Sequence, residues 1–192
     1  MRPLLVALIA LMPGLAFTHT GAGETAGFFH GFGHPFGGFD HVLTMVVVGL
    51  VAAQLGGRAL WLLPLSFLAM MAVGGALGTA GAKVPLVEVG IGLSVIVLGL
   101  AIAFQRGIPT FAAVGFVSLV ALLHGHAHGA EMPETASGLS YGAGFVCATA
   151  LLLAVGIGLG MAIGLAGRRR RIVQVGGTAV ALIGAGILGG LF

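Results

Sequence analysis

The sequence predicts an all-α, polytopic membrane protein: a bundle of six transmembrane helices left after a signal peptide is removed. Three observations carry that expectation. Hydrophobic residues make up 58% of the chain and charged residues only 7%, against about a quarter charged in a soluble domain. Mean hydropathy is +1.16, and successive apolar windows approach or exceed the ~20 residues that span hydrocarbon. Glycine is abundant, 36 residues without a collagen period. In lipid that composition suits close helix packing, as at Gly74/Gly78, Gly160/Gly164 and Gly186/Gly190.

Residues 1–18 read as a secretory signal, with Arg2 as the positive start, an apolar run from Leu4 to Met12, and a Pro13-Gly14 break before Thr18. Thr18 is a poorer cleavage residue than alanine, so an uncleaved anchor is the alternative. Cleavage after Thr18 would make His19 the new N-terminus. Its amine and imidazole would then chelate a metal together or simply form a solvated tail. Residues 19–34 are the exported N-terminal segment, and 35–192 form the six-helix domain.

Within that domain the spans fall at 35–54, 59–80, 85–105, 109–128, 139–166 and 172–191. Pro35, Pro85 and Pro109 open three of them, where a missing N–H costs nothing in the first helical turn. Lysine and arginine set the orientation. With the mature N-terminus outside, Arg58, Arg106 and Arg168–Arg171 fall inside and only Lys83 outside, as the positive-inside rule requires. The expected location is therefore a bacterial inner membrane, with both mature termini periplasmic.

Composition also excludes function classes. The isoelectric point near 10.0 comes largely from the Arg168–Arg171 run, which orients the chain rather than binding nucleic acid. The lone Cys147 rules out an internal disulfide and a thiolate cluster. No P-loop lysine pattern is present, so the chain does not itself hydrolyse ATP.

The residues that can carry chemistry gather at the outer face. The stretch from Phe28 to Leu50 sets His30, His34, Asp40 and His41 where an apolar segment enters the membrane. An ionised carboxylate at the bilayer centre costs about 2.5–3.5 kcal/mol even on insertion scales, so such residues mark a polar site or pathway. In a regular helix His34 and His41 would share a face about 10 Å apart, too far for one ion. Either Pro35, Gly37 and Gly38 bend the backbone so that both converge, or the two are successive stops on a path. Asp40 binds metal directly or holds a histidine in one tautomer; in the bland alternative, these groups merely satisfy one another.

The second cluster runs from His124 to Glu131. His124 and His128, four apart, share a helical face, a usual spacing for two imidazoles on one ion. His126 points away from them, toward a neighbouring span or water. The bland alternative is a solvated histidine-rich loop. Glu88 is a ligand or proton acceptor, or the partner of Lys83. Met45, one turn below His41, packs or adds a thioether. Phe28, Phe29, Phe32, Phe36 and Phe39 either gate the site or form an interfacial belt. Imidazole and carboxylate without thiolate suit Ni(II), Co(II), Zn(II) or Cu(II).

The pattern His34-x5-Asp40-His41, the His19-Thr-Gly start, the Glu88 region and the His124-Gly-His-Ala-His-Gly-Ala-Glu131 stretch together resemble the HupE/UreJ family of nickel/cobalt permeases. The resemblance covers essentially the whole mature chain. It implies uptake of Ni(II), or in some members Co(II), as transported substrate for hydrogenase or urease maturation. It carries functional roles to His34, Asp40, His41, His124 and His128, and less directly to His126 and Glu88. The expected partners are thus a divalent metal ion and the lipid bilayer, with homo-oligomerisation left open. Two rival classes remain at this point: a membrane oxidoreductase holding haem or metal between spans one and four, and a sensor that binds metal without conducting it.

Overall fold

The computed structural model describes residues 23–104, 108–132, 138–164 and 170–190, with side chains from residue 27 onward and excluding that of Arg170. The expected signal segment 1–18, His19, Arg106 and Arg168–Arg169 lie outside the described residues. Among the described residues the chain is helical, without a strand. The elements are α1 (Gly23–Gly33), a 3-10 turn (His34–Gly37), α2 (Phe39–Leu55), α3 (Ala59–Thr79), α4 (Val87–Phe104), α5 (Thr110–Ala130), α6 (Gly138–Ile163) and α7 (Arg170–Leu188).

Five helices, α3 to α7, are long and apolar enough to cross a membrane. Gly27–Gly37 and Phe39–Leu55 are long and apolar enough for a sixth crossing only when taken together, and they meet at 86° as a broken span or a re-entrant loop. The helix within the expected first span therefore begins at Phe39 rather than at Pro35. Pro35 is taken up by the 3-10 turn, and Gly38 adopts extended backbone (φ −109°, ψ 118°) before α2 begins. Residues 23–33, part of the segment expected to be exported, form a helix that lies on α6. The remaining boundaries follow the expected spans to within a few residues. Pro109 caps α5, its carbonyl accepting from the amides of Ala112 and Ala113 at 2.9 and 3.1 Å. At the other end of α2, Gly56 (φ +65°) donates its N–H to the Ala52 carbonyl at 2.9 Å, a left-handed conformation that suits glycine.

Lipid tails are as apolar as leucine side chains, so helices in a membrane associate through close packing rather than hydrophobic burial. Here glycines supply the closeness. On α3 and α5, a Cβ at Gly74, Gly78, Gly125 or Gly129 would strike the backbone of the facing helix. Gly49 and Gly156 do the same between α2 and α6, Gly99 and Gly177 between α4 and α7, and Gly31 and Gly144 between α1 and α6. These are the pairs of elements in most extensive contact. The Gly160/Gly164 and Gly186/Gly190 spacings work differently. Gly164 (φ +64°) and Gly190 (φ +69°) end helices in left-handed backbone, and a Cβ added at either would have nothing within 4 Å.

The interior is a column of Met45, Val48 and Ala52 from α2, Leu63, Phe67 and Met71 from α3, Leu98 from α4, Val117 and Ala121 from α5, and Leu153 from α6. Large hydrophobics such as Phe111, Leu151, Val175 and Leu182 face outward, as in a protein solvated by acyl chains. Alternation of helix direction brings the starts of α2, α4 and α6 and the end of α5 to one end of the bundle. His34, Asp40, His41, Glu88, His124, His128 and Glu131 lie at or near that end.

Candidate functional site

Four imidazoles from three elements converge there. His34 comes from the 3-10 turn, His41 from the first turn of α2, and His124 and His128 from the last turns of α5. The ring centroids of His41 and His128 are 3.9 Å apart, those of His34 and His128 4.8 Å, and those of His41 and His124 5.0 Å. Of the two alternatives open for His34 and His41, the bent backbone is the one observed. The turn at Pro35–Gly38 folds His34 back over α2, so that both histidines reach the same ring. Gly38 is required for room: a Cβ there would lie 2.7 Å from His41 Nδ1 and 2.9 Å from Asp40 Oδ1.

Hydrogen bonds fix two of the tautomers. A carboxylate can only accept, so the His41 Nδ1–H donates to Asp40 Oδ1 at 3.0 Å. A carbonyl can only accept, so the His124 Nδ1–H donates to the Val120 oxygen at 2.9 Å. Each ring is left with an Nε2 lone pair, and both Nε2 atoms are buried with no hydrogen-bond partner among the described residues. Neither nitrogen of His128 has such a partner either. Burying bare acceptors costs roughly 1–3 kcal/mol each, an expense that makes sense where an electrophile is to be bound. Asp40 makes the hydrogen bond that an orienting carboxylate makes behind a metal-bound histidine, and it also lines the cleft described next.

Glu131, the residue that caps α5, brings Oε2 to 3.5 Å from His34 Nε2. His34, His128 and Glu131 offer ligand atoms that all lie within 4.8 Å of one another. A cleft of about 510 Å³ opens on them and is lined by His34, Asp40, His41, Glu88, His128 and Glu131. Glu88 is exposed at the start of α4 and, with Asp40, also lines an adjoining cleft of about 380 Å³ beside Ile187 and Leu188. Three carboxylates and three imidazoles thus surround one mouth, an arrangement that draws in cations and repels anions.

The structure sets His126 apart. Its Nε2–H donates to the Ala82 carbonyl at 2.6 Å, tying α5 to the α3–α4 connection on the side away from the cluster. Met45 is fully buried in the core beneath His41. The phenylalanines Phe28, Phe32 and Phe36 form a ladder along the first helix and turn, with centroids 6.3 and 5.9 Å apart. The rings that touch the imidazoles come from α6 instead. Phe145 lies 4.5 Å from His128 and Tyr141 5.8 Å from His34.

Two residues of the site, Tyr141 and Phe145, escaped the sequence reading. Glu131, already placed at the end of the second cluster, follows His124 and His128 on one helical face at intervals of four and three. Tyr141 and Phe145 had no such signal. They reach the histidines only because Gly31 and Gly144 let α1 and α6 approach, a contact between distant parts of the chain.

The family model described as "HupE / UreJ protein" matches residues 6–187. Protein HupE of Rhizobium leguminosarum bv. viciae is 45% identical over 180 residues, 93% of each chain. No solved structure matches the chain.

Proposed function

This chain belongs to the HupE/UreJ family, and we propose that it is a permease for a divalent transition metal, Ni(II) or alternatively Co(II), entering through the His/Asp site. The observation that carries this reading is the set of convergent imidazoles whose Nε2 atoms are buried without hydrogen-bond partners. Neutral imidazole is a ligand for Ni(II), Co(II), Cu(II) and Zn(II), and a poor one for Mg(II) or Ca(II). Glu88, Glu131 and Asp40 would attract the aquated ion, and the histidines would replace its waters.

The proposed setting is a bacterial inner membrane with the histidine end periplasmic. Arg58 and Arg171, both exposed at the end of the bundle away from the histidines, fit that orientation, with Lys83 the one exception among the described lysines and arginines. Inward movement of each unit charge is then favoured by about 2.3 kcal/mol per 100 mV of inside-negative potential. Below the histidines the path is filled by Met45, Leu63, Phe67 and Leu98, so passage needs these side chains to move apart. The metal would supply hydrogenase or urease maturation. Haem fits less well, because rings with centroids 3.9 to 5.0 Å apart leave no slab for a macrocycle between them.

Radiometal uptake tests the reading. Cells or proteoliposomes with the wild-type chain should accumulate nickel, and Asp40→Asn and His124→Ala should each lose most of it. Binding without accumulation in wild type would leave a sensor, and accumulation unchanged in both variants would remove the site from transport.

A further inference from the structure

We infer that the histidine cluster is two overlapping metal stations sharing His128, filled by one cation at a time, the outer first. The order of filling rests on the permease reading, whereas the division into two ligand sets rests on the donor-atom distances of the outer set and on the ring spacings and unpartnered nitrogens of the inner one.

The outer set is His34, His128 and Glu131, whose donor atoms lie within 4.8 Å of one another. It sits at the rim, with the Glu131 side chain 65% exposed. An ion held there keeps some of its water and has a carboxylate oxygen among its ligands. The inner set is His41 and His124, both oriented for binding through Nε2 because Nδ1–H is committed to Asp40 and to Val120. His124 is fully buried. An ion there has traded water and carboxylate for imidazole.

His128 adjoins both sets, 4.8 Å from the His34 ring and 3.9 Å from the His41 ring. Both its nitrogens lack hydrogen-bond partners among the described residues. A neutral imidazole has a single ring lone pair, so His128 can serve one station at a time. Sharing it couples release from the rim to capture inside. The two stations also divide selection. Hard cations such as Mg(II) can rest at the carboxylate-bearing rim, but an imidazole set advances only borderline metals.

The test uses the full chain in detergent with Co(II), whose visible spectrum reports its ligands, alongside Co(II) uptake in proteoliposomes. Wild type should bind one equivalent. Glu131→Gln should keep the wild-type spectrum and affinity within about twofold, yet take up Co(II) at least about tenfold more slowly. His124→Ala, with His124→Gln as a second variant in case the first fails to fold, should still bind one equivalent. That binding should be weaker, with a changed spectrum and no uptake. Adding Glu131→Gln to either His124 variant should abolish binding. If Glu131→Gln and both folded His124 variants each abolish binding outright, the site is one undivided ligand set and the two stations are wrong. Wild type that binds Co(II) but accumulates none overturns only the permease reading, since the variant spectra still decide the ligand sets.

Discussion

On α5, His124 and His128 turn their rings into the cluster, whereas His126 between them reaches across to the Ala82 carbonyl. The two groups are alike in residue type and burial. What separates them is the fate of their nitrogens. His124 spends Nδ1–H within its own helix and leaves Nε2 bare toward His41, while His126 spends Nε2–H on another segment. Between them Gly125 and Gly129 form the seam with α3. One short helical stretch thus carries a face turned into the histidine cluster, a packing face and a tether. His124 and His126 differ in which acceptor one ring nitrogen finds, and His128 has a partner for neither nitrogen among the described residues.

The contrast can be broken at several points. Removing both inward rings, as His124→Ala/His128→Ala, is expected to weaken Ni(II) binding by at least about 100-fold in calorimetry. Next comes Asp40→Asn, which keeps the bulk but disturbs the tautomer of His41. A loss of about 10–100-fold in affinity is expected, as for other groups that orient metal-bound histidines.

A different kind of failure is expected at the packing face. In Gly129→Leu the new Cβ would sit 2.8 Å from the Gly75 carbonyl carbon and Cα, both backbone atoms that cannot swing away. Overpacking of this kind costs about 1–3 kcal/mol or more, so thermal unfolding in detergent should shift down. Acid should act on the histidine cluster. Imidazole must be neutral to bind metal, and an unperturbed histidine titrates near 6.5. Burial holds the His34 imidazole below that ordinary value, so uptake should be nearly the same at pH 7.5 and pH 6.5 and fall only in stronger acid, with the membrane potential held constant. The smallest effect is expected for His126→Gln, which keeps a donor for Ala82. Its Ni(II) affinity should stay within about twofold of wild type, and a larger loss would place His126 among the ligands.

Much of this is legible in the sequence. Composition sets the helical membrane class, because no soluble core could absorb so many apolar residues. The i, i+4 spacing of His124 and His128 gives them a shared face, and the same periodicity turns His126 away. The convergence of His34 and His41 is only half legible. Pro35, Gly37 and Gly38 signal a break, but its 86° bend depends on where α1 docks against α6. Gly164 and Gly190 mislead for a related reason. The same spacing that forms a helix seam at Gly74/Gly78 ends a helix when the second glycine adopts positive φ. Tyr141 and Phe145 belong to no local pattern.

The central claim is that rings from α2 and α5 face one bound cation. X-ray absorption spectroscopy of the Ni(II)-loaded chain measures this directly. The expected result is multiple-scattering features of at least two imidazoles, reduced on replacing His41 and again on replacing His124. A first shell of water and carboxylate oxygen alone, unchanged by either substitution, would contradict it.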